Sequence, residues 1–215
     1  MILPGTKYKI IREIESLKDV RSQGLEFIVS LEADPRTAKI LIEPIEFPEN
    51  ICLTKKELNE NCELLTDFGK AIYFYTTQDE YGMFSNFSDH GITVDNAFYP
   101  TVEHYYQACK FENEEYQERI RTCASPKRAS ELGKSKEQVI KSNWNDIKID
   151  VMTKSIRLKF EQNRQIREIL LLTENKLLIE NSPYDNFWGI GRIGEGLNYL
   201  GTVLMRVRRN LQTSL

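Results

Sequence analysis

The most informative stretch of this chain is Tyr99-Pro-Thr-Val-Glu-His-Tyr-Tyr-Gln-Ala-Cys-Lys-Phe111. It predicts a helix that begins at Thr101, a favoured N-cap residue, and runs to the end of the stretch. Glu103 then lies in the first turn, where the helix dipole favours an ionised carboxylate. Gln107 and Lys110 follow at four and seven residues, so the three polar side chains share one helical stripe. A carboxylate, an amide and an ammonium in a row, beside aromatic residues, are typical of a polar ligand site.

Helical patterns dominate the chain after this stretch, and strand patterns are few. Further helices are predicted over residues 114–123, 126–133, 136–143, 152–172 and 197–211. The short apolar segments at 71–75 and 176–180 are predicted as a strand and as a strand or helix end, respectively. We therefore expect residues 70–215 to form a mainly α-helical domain with a few short strands, of the α+β class.

Residues 1–69 show a different pattern. Residues 24–31 and 38–45 are rich in apolar and β-branched residues and predict strands. Thr54-Lys-Lys-Glu57 is a capping box and predicts a helix that runs to about Asp67. We expect a small β-rich extension without a site of its own. Partner docking, covering of a pocket and packing against the main domain all stay open as its role, with packing as the default.

The bulk composition indicates a soluble globular protein. The chain has 215 residues, of which 40% are hydrophobic and 28% are charged. No apolar run approaches the roughly 20 residues that a membrane span needs. The N-terminus lacks the basic start and the apolar core of a signal peptide. We therefore expect a cytoplasmic protein without a membrane partner.

Cysteine and histidine usage argues against transition-metal chemistry. The chain has two histidines and four cysteines, and no cysteine pair has C-x-x-C spacing. Too few nitrogen and sulfur ligands are available for a zinc site. A carboxylate site for Mg²⁺ stays open. We expect no cofactor and a chemistry that runs on carboxylates, amides and hydroxyls.

The loop Tyr184–Gly196 is the second stretch in which several candidate functional residues lie close together. Its glycines satisfy G-x-G-x-x-G, but a dinucleotide fold requires a second strand and an acid about 20 residues later, which the residues up to Leu215 do not provide. The glycines instead favour close approach of the backbone to a phosphate or sugar, with an irregular loop as the alternative. Trp188 offers a flat face to a ring. Asp185 is a candidate acceptor for ribose hydroxyls, or simply the cap of a turn.

Three further signals are ambiguous when taken alone. Ser85-Asn86-Phe87 puts small polar groups beside an aromatic ring, which suits recognition of a base or ribose but is common by chance. Trp144 is equally well explained as a core residue. Glu103, viewed in isolation, is also explained as a partner of the helix dipole.

Taken together, these motifs resemble the NADAR superfamily, which is associated with NAD and ADP-ribose metabolism. The resemblance covers about residues 71–212. It rests on an ordered set of blocks: Asp79-x-Tyr-Gly-x-Phe-Ser-Asn-Phe87, the opening stretch, Ala129-x-x-Leu-Gly-Lys134, Trp144, Met152, Lys159-Phe-x-Gln-Asn163, Leu170-Leu-x-Thr173, Leu178-x-Glu180, Asp185-x-x-Trp-Gly-x-Gly191, Gly196-x-Asn198, Leu200-Gly201 and Leu204-Met205.

The resemblance implies a compact, mostly helical YbiA-like fold and an N-glycosidase that cleaves a bond between ribose C1 and a nitrogen. It implies Glu103 as the central catalytic carboxylate, with Lys110 and Asp185 as further catalytic candidates. The candidates for substrate contact are Ser85, Asn86, Phe87, His104, Gln107, Trp144, Trp188, Gly189, Gly191 and Asn198. No metal ligand and no cofactor are implied.

Three functions stay open under this resemblance. The favoured one is removal of ADP-ribose from guanine bases in DNA, as the antitoxin of a cognate toxin that modifies DNA, because residues 119–141 carry an excess of basic side chains. The second is cleavage of phosphorylated riboflavin-pathway intermediates, which are ribosylated, nucleotide-like small molecules. The third is a non-catalytic sensor that binds NAD or ADP-ribose.

Overall fold

The computed structural model describes residues 67–213 and, before them, five short strands. The chain forms two compact units. The first unit contains residues 1–73 and 174–206, and the second contains residues 74–173 and 207–215. The predicted division of the chain at residue 69 stays a prediction.

In the first unit, the five strands form one antiparallel sheet with the order β4-β3-β2-β1-β5. They are β1 (Lys7–Ile10), β2 (Glu26–Val29), β3 (Lys39–Pro44), β4 (Ile51–Thr54) and β5 (Cys62–Leu64). The strands predicted within 24–31 and 38–45 are confirmed. The helix predicted up to Asp67 is wrong at its C-terminal end, because residues 62–64 pair with β1; residues 55–61 lie outside the described part of the chain.

A second, two-stranded sheet pairs β6 (Asp67–Phe74) with β9 (Lys176–Glu180). The strand predicted at 71–75 is confirmed and begins earlier, and the open alternative at 176–180 resolves to a strand. The middle of β9, Leu177-Leu-Ile179, is buried at every residue. A continuous apolar run of this length is typical of a strand covered on both faces.

The second unit contains a hairpin and most of the helices. In the hairpin, β7 (Ile92–Val94) pairs antiparallel with β8 (Ala97–Tyr99). Asp95 and Asn96 form its two-residue turn with positive φ angles of 49° and 65°, a conformation that Asp and Asn tolerate and that matches the twist of a hairpin.

Six α-helices lie among residues 67–213. They are α1 (Val102–Ala108), α2 (Glu114–Arg121), α3 (Pro126–Lys134), α4 (Trp144–Gln162), α5 (Arg164–Leu172) and α6 (Tyr199–Thr213). All seven residues of α1 are buried, so this short helix forms the centre of the second unit. The α+β class with few short strands is confirmed, and none of the helices in this range is long and apolar enough to span a bilayer.

Two helix predictions for the second unit are wrong. Residues 136–143 form no helix, because this segment runs beside the end of the opening stretch: Ile140 bridges to Phe111, and the Lys141 N–H donates to the Lys110 carbonyl at 2.9 Å. The predicted helix over 152–172 is two helices that meet at Asn163. The Asn163 side chain donates to the Gly91 carbonyl at 3.1 Å, which fixes the break.

Candidate functional site

The site begins at the first turn of α1. Thr101 caps this helix as predicted, since its hydroxyl oxygen accepts the His104 N–H. The Glu103 N–H donates to the Asn86 carbonyl at 3.1 Å. The N–H groups of Glu103 and His104 are therefore satisfied by protein groups, and Glu103 is held at its predicted position in the first turn.

His104 is enclosed by protein partners on both ring nitrogens. Nδ1 lies 2.8 Å from the Thr101 hydroxyl, and Nε2 lies 3.2 Å from the Cys123 carbonyl. Because a carbonyl can only accept, Nε2 carries the proton and Nδ1 accepts from Thr101. Burial lowers the pKa of His104. This geometry is that of a neutral histidine that links the start of α1 to the Cys123 carbonyl. The predicted contact of His104 with substrate stays a prediction.

Glu103 is a buried carboxylate with polar partners on two helices. Its side chain accepts a hydrogen bond from Gln107 Nε2 at 2.7 Å and another from Ser130 on α3. Burial raises the pKa of Glu103, whereas these two hydrogen bonds and the positive charges of Lys110 and Lys134 lower it. The expectation that the helix dipole sets the charge of Glu103 is therefore incomplete, because the largest effect on its pKa is the loss of contact with water on burial.

Lys110 completes the predicted stripe just beyond the end of α1. Its Nζ donates to the Gly133 carbonyl at 2.9 Å. Burial lowers the pKa of Lys110, the nearby Glu103 carboxylate raises it, and Lys134 lowers it. Glu103, Gln107 and Lys110 are thus brought together, and we call these three residues the polar row.

The last turns of α3 form the side of the site that the sequence analysis missed. Ser130 bonds to Glu103, the Gly133 carbonyl accepts from Lys110, and Lys134 acts on both charges of the polar row. These residues fall in the block Ala129-x-x-Leu-Gly-Lys134, which was quoted only for the family resemblance. The spacing of residues within one helix does not indicate which other helix it contacts.

The segment Ser85–Ser88 lies against α1 and α4. The Asn86 amide nitrogen lies 3.5 Å from the Met152 sulfur, and its Oδ1 is buried without a hydrogen-bond partner among the described residues. The Lys159 ammonium, fully buried on α4, donates to the Ser85 carbonyl at 2.9 Å and to the Ser88 hydroxyl at 2.7 Å. Ser85 and Asn86 are buried beside Glu103, whereas Phe87 is 38% exposed.

Trp144 is buried at the start of α4. Its ring packs against Tyr106 of α1 with a centroid distance of 5.1 Å. This contact agrees with the interpretation of Trp144 as a core residue, and its predicted contact with substrate stays a prediction.

The remaining predicted residues lie in the loop after β9, in the first unit. Asp185 Oδ1 accepts from the N–H groups of Phe187 and Trp188, at 2.8 Å each. Asp185 therefore caps a turn, as the simpler interpretation proposed. The Trp188 ring packs edge-on against Phe187 with a centroid distance of 4.9 Å. This turn fixes where the indole lies.

The glycines and Asn198 close this loop. Gly191 has φ 67°, a conformation that favours glycine. The Gly189 carbonyl accepts the Asn198 N–H at 3.1 Å. The fully buried Asn198 side chain accepts from the Glu180 N–H and donates to the Leu178 carbonyl, at 2.9 Å each. The Asn198 side chain therefore connects β9 to the start of α6 through these two hydrogen bonds.

The NADAR domain family matches residues 73–212. This chain belongs to the NADAR family. Every block of the resemblance lies in or beside the matched range, and the polar row and the loop after β9 both fall inside it. The resemblance drawn from the sequence is confirmed at the level of the family.

Named relatives of this NADAR protein include N-glycosidases. N-glycosidase YbiA of Escherichia coli (strain K12) is 44% identical over 140 residues, which are 65% of this chain and 88% of that protein. N-glycosidase Npun_R5314 of Nostoc punctiforme is 42% identical over 67% of this chain and 95% of that protein. The riboflavin biosynthesis protein VVA0006 of Vibrio vulnificus is 40% identical over 66% of this chain but only 39% of that longer protein.

The NMR structure of the E. coli protein YbiA has the same fold. It is similar to this chain with a TM-score of 0.64 and 42% identity, over 69% of this chain and 88% of that one. The YbiA-like fold predicted from the sequence is confirmed.

Proposed function

We propose that this NADAR protein is an N-glycosidase that hydrolyses a bond between ribose C1 and a nitrogen. The observation that carries the proposal is the buried Glu103 carboxylate, hydrogen-bonded by Gln107 and Ser130 and flanked by the positive charges of Lys110 and Lys134. The names of the E. coli and Nostoc relatives support it. A buried carboxylate with several polar partners is a costly arrangement that a folded core does not need.

Glu103 suits the charge that develops in this reaction. Cleavage of a glycosidic bond passes through an oxocarbenium-like state, in which positive charge grows on the ribose ring. A fixed carboxylate in a site with little water stabilises that charge strongly, because the medium screens it weakly. In our proposal Glu103 faces C1, and Gln107 and Ser130 keep the carboxylate in place.

The raised pKa of Glu103 also suits removal of a proton from water. A stronger base takes the proton of an attacking water more readily, so a carboxylate with a raised pKa activates water better than an exposed one. Direct attack of the carboxylate on C1 is the other route that this geometry supports, and both routes require the anion. The leaving nitrogen takes a proton or departs as a stabilised anion.

Lys110 supplies a second charged group in the polar row. Its Nζ is oriented by the Gly133 carbonyl, the one acceptor that it contacts among the described residues, and an ammonium has three N–H groups to donate. We propose that it holds a phosphate or sugar oxygen of the substrate. Asp185 orients the Trp188 loop, whose indole is a candidate stacking face for a ring.

Two substrate classes fit this chemistry. The sequence favours ADP-ribosylated guanine in DNA on the basis of the basic residues in 119–141. Several of those charges have acidic partners, however: Arg119 pairs with Glu137, Arg121 with Glu118, and Arg128 with Glu131. These pairs weaken the charge argument for a nucleic-acid surface.

Phosphorylated intermediates of riboflavin synthesis are the second class. The name of the Vibrio vulnificus relative favours it, although this chain matches only 39% of that protein. Both classes share a phosphorylated ribose joined through C1 to the nitrogen of a heterocycle. The polar row meets that shared part, so the proposal for Glu103 is the same for both.

Turnover of the two substrate classes tests the proposal. The protein is incubated with an ADP-ribosylated guanine oligonucleotide and, separately, with ribosylated pyrimidine phosphates, and the ADP-ribose or the pyrimidine that is released is measured. Release from either substrate by the wild type but not by Glu103→Gln supports an N-glycosidase, and the preferred substrate selects the class. Tight binding of ADP-ribose in calorimetry with no turnover of any conjugate would overturn the proposal and support a sensor.

A further inference from the structure

The last turn of α3 leaves no room for a side chain where it faces the polar row. A Cβ atom placed on Gly133 would overlap the Gln107 amide oxygen and would lie 2.5 Å from Gln107 Cδ and 3.0 Å from Cγ. Contacts below 3.0 Å force something to move. The Gln107 amide therefore occupies the volume that any other residue at position 133 would fill.

The backbone of Gly133 also holds a second member of the polar row. Its carbonyl accepts the hydrogen bond from Lys110 Nζ at 2.9 Å. One residue without a side chain thus contacts both Gln107 and Lys110, the other two members of the polar row. Close approach of two helices without a side chain between them is a role that glycine fills.

We propose that Gly133 is a positioning residue of the Glu103 site. The missing side chain lets the Gln107 amide stay against Glu103, and the Gly133 carbonyl fixes the Lys110 ammonium. Gly133 acts only through these two side chains. The inference rests on the proposed function of Glu103 as the carboxylate at the reacting carbon.

The atoms in contact predict that Gly133→Ala changes the site more than the fold. The first atoms that a methyl group meets are the far end of the flexible Gln107 side chain, and not backbone. Gln107 Oε1 has no hydrogen-bond partner among the described residues, so the amide is retained by its Nε2 bond and by packing. Alanine also favours a helix more than glycine does, which offsets part of the cost within α3.

Three variants test this inference: Gly133→Ala, Gln107→Ala and the double variant. Gly133→Ala should lower kcat/KM roughly tenfold or more, as expected when a hydrogen bond to a charged group is lost. It should raise the pKa of Glu103, because the lost hydrogen bond from Gln107 lowers that pKa. Glu131→Ala, on the exposed side of α3, is the matched control and should change neither quantity.

The double variant separates positioning from general packing. In the Gln107→Ala background the three atoms nearest to the methyl group are absent, so Gly133→Ala should add little further loss. Such non-additivity is the signature of two residues that act through one contact. Independent, additive losses, or a Gly133→Ala variant with the wild-type rate and Glu103 pKa, would overturn the inference.

A readout that does not need turnover keeps the two proposals apart. Carbon-13 NMR of labelled glutamate carboxyls follows the titration of Glu103 in each variant, with Glu103→Gln as the assignment control. If the wild type cleaves no riboside, the proposed function fails, but the NMR titration still tests the contact. A Glu103 pKa raised by Gly133→Ala and unchanged when that substitution is added to Gln107→Ala supports it, whereas equal titration in Gly133→Ala and wild type overturns it.

Discussion

Gln107 Nε2 donates a hydrogen bond to Glu103 Oε1 across 2.7 Å, one turn later on the same buried helix. This bond favours the ionised carboxylate, whereas the surrounding burial favours the neutral acid. Two opposing influences of this kind make the charge of Glu103 sensitive to its neighbours. The activity of the protein should depend on pH in a way that reports this residue.

The rate of N-glycoside cleavage should fall on the acidic side at a pH above the ordinary carboxyl value. The pKa of Glu103 is raised from 4.5 by burial, and the reaction needs the anion, so kcat/KM rises as pH increases through the raised pKa. Gln107→Ala removes a bond that lowers this pKa and should move the acidic limb to higher pH. The exposed Gln78→Ala serves as control, and a Gln107→Ala profile identical to wild type would contradict this account.

His104→Phe should reduce stability without changing substrate affinity. The substitution removes the two ring hydrogen bonds, one from the Thr101 hydroxyl and one to the Cys123 carbonyl, at a cost of about 1–3 kcal/mol in the free energy of unfolding. The lowered pKa of His104 makes the wild type lose stability as pH falls below about 6.5, and the variant should lack that part of the loss. Urea unfolding between pH 5 and 8 measures both effects, whereas a raised KM at unchanged stability would assign the ring to substrate.

Asp185→Asn and Asp185→Ala should differ sharply. Asn retains an oxygen that accepts the Phe187 and Trp188 N–H groups, whereas Ala removes it. We expect a near-normal kcat/KM for Asp185→Asn. For Asp185→Ala we expect a kcat/KM roughly tenfold lower, because Trp188 would be misplaced when the two hydrogen bonds, each contributing about 1 kcal/mol, are lost. If both variants lose activity equally, the negative charge of Asp185 is needed and the turn is not its main role.

Lys159→Met should change how stability depends on pH. Burial lowers the pKa of Lys159 from 10.5 to about 7, so the unfolded chain binds the additional proton between these values and wild-type stability rises with pH there. The gain is at most about 1.4 kcal/mol per pH unit, and the variant should lack it. At pH 9 the variant should be less stable than wild type by about 1–3 kcal/mol, because the Ser85 carbonyl and Ser88 hydroxyl lose a donor.

Chemical unfolding at pH 6, 7.5 and 9 measures this difference. The gap in free energy of unfolding between the wild type and Lys159→Met should shrink as pH falls towards 6. Lys154→Met, on an exposed position of α4, is the control. Equal pH slopes for the wild type and Lys159→Met would mean that the ammonium of Lys159 keeps its ordinary pKa.

The features that were predicted correctly from the sequence depend on residues that are close together along the chain. Thr101 caps α1 through a hydrogen bond three residues along the chain, and Glu103 and Gln107 meet because a helix places residues four apart on one face. The strands β2 and β3 were likewise visible from their apolar, β-branched composition. Local geometry was sufficient in each case.

The features that were not predicted from the sequence depend on contacts between segments that are far apart along the chain. Ser130 and Gly133 reach the polar row only because α3 packs on α1. Asn163 breaks a continuous apolar stripe because its side chain bonds to Gly91, 72 residues earlier. Residues 136–143 have helical spacing but lie along Phe111 instead. Periodicity gives no information about such partners.

The most direct test of the catalytic role of Glu103 is the Glu103→Gln variant, assayed on ADP-ribosylated guanine and on ribosylated pyrimidine phosphates. The amide keeps the shape of the side chain and removes the charge, so the account predicts a loss of about 10²–10⁴ in rate with the fold retained. Glu115→Gln, on the exposed side of α2, should keep the wild-type rate. Near-normal turnover by Glu103→Gln on every substrate that the wild type cleaves would contradict the claim.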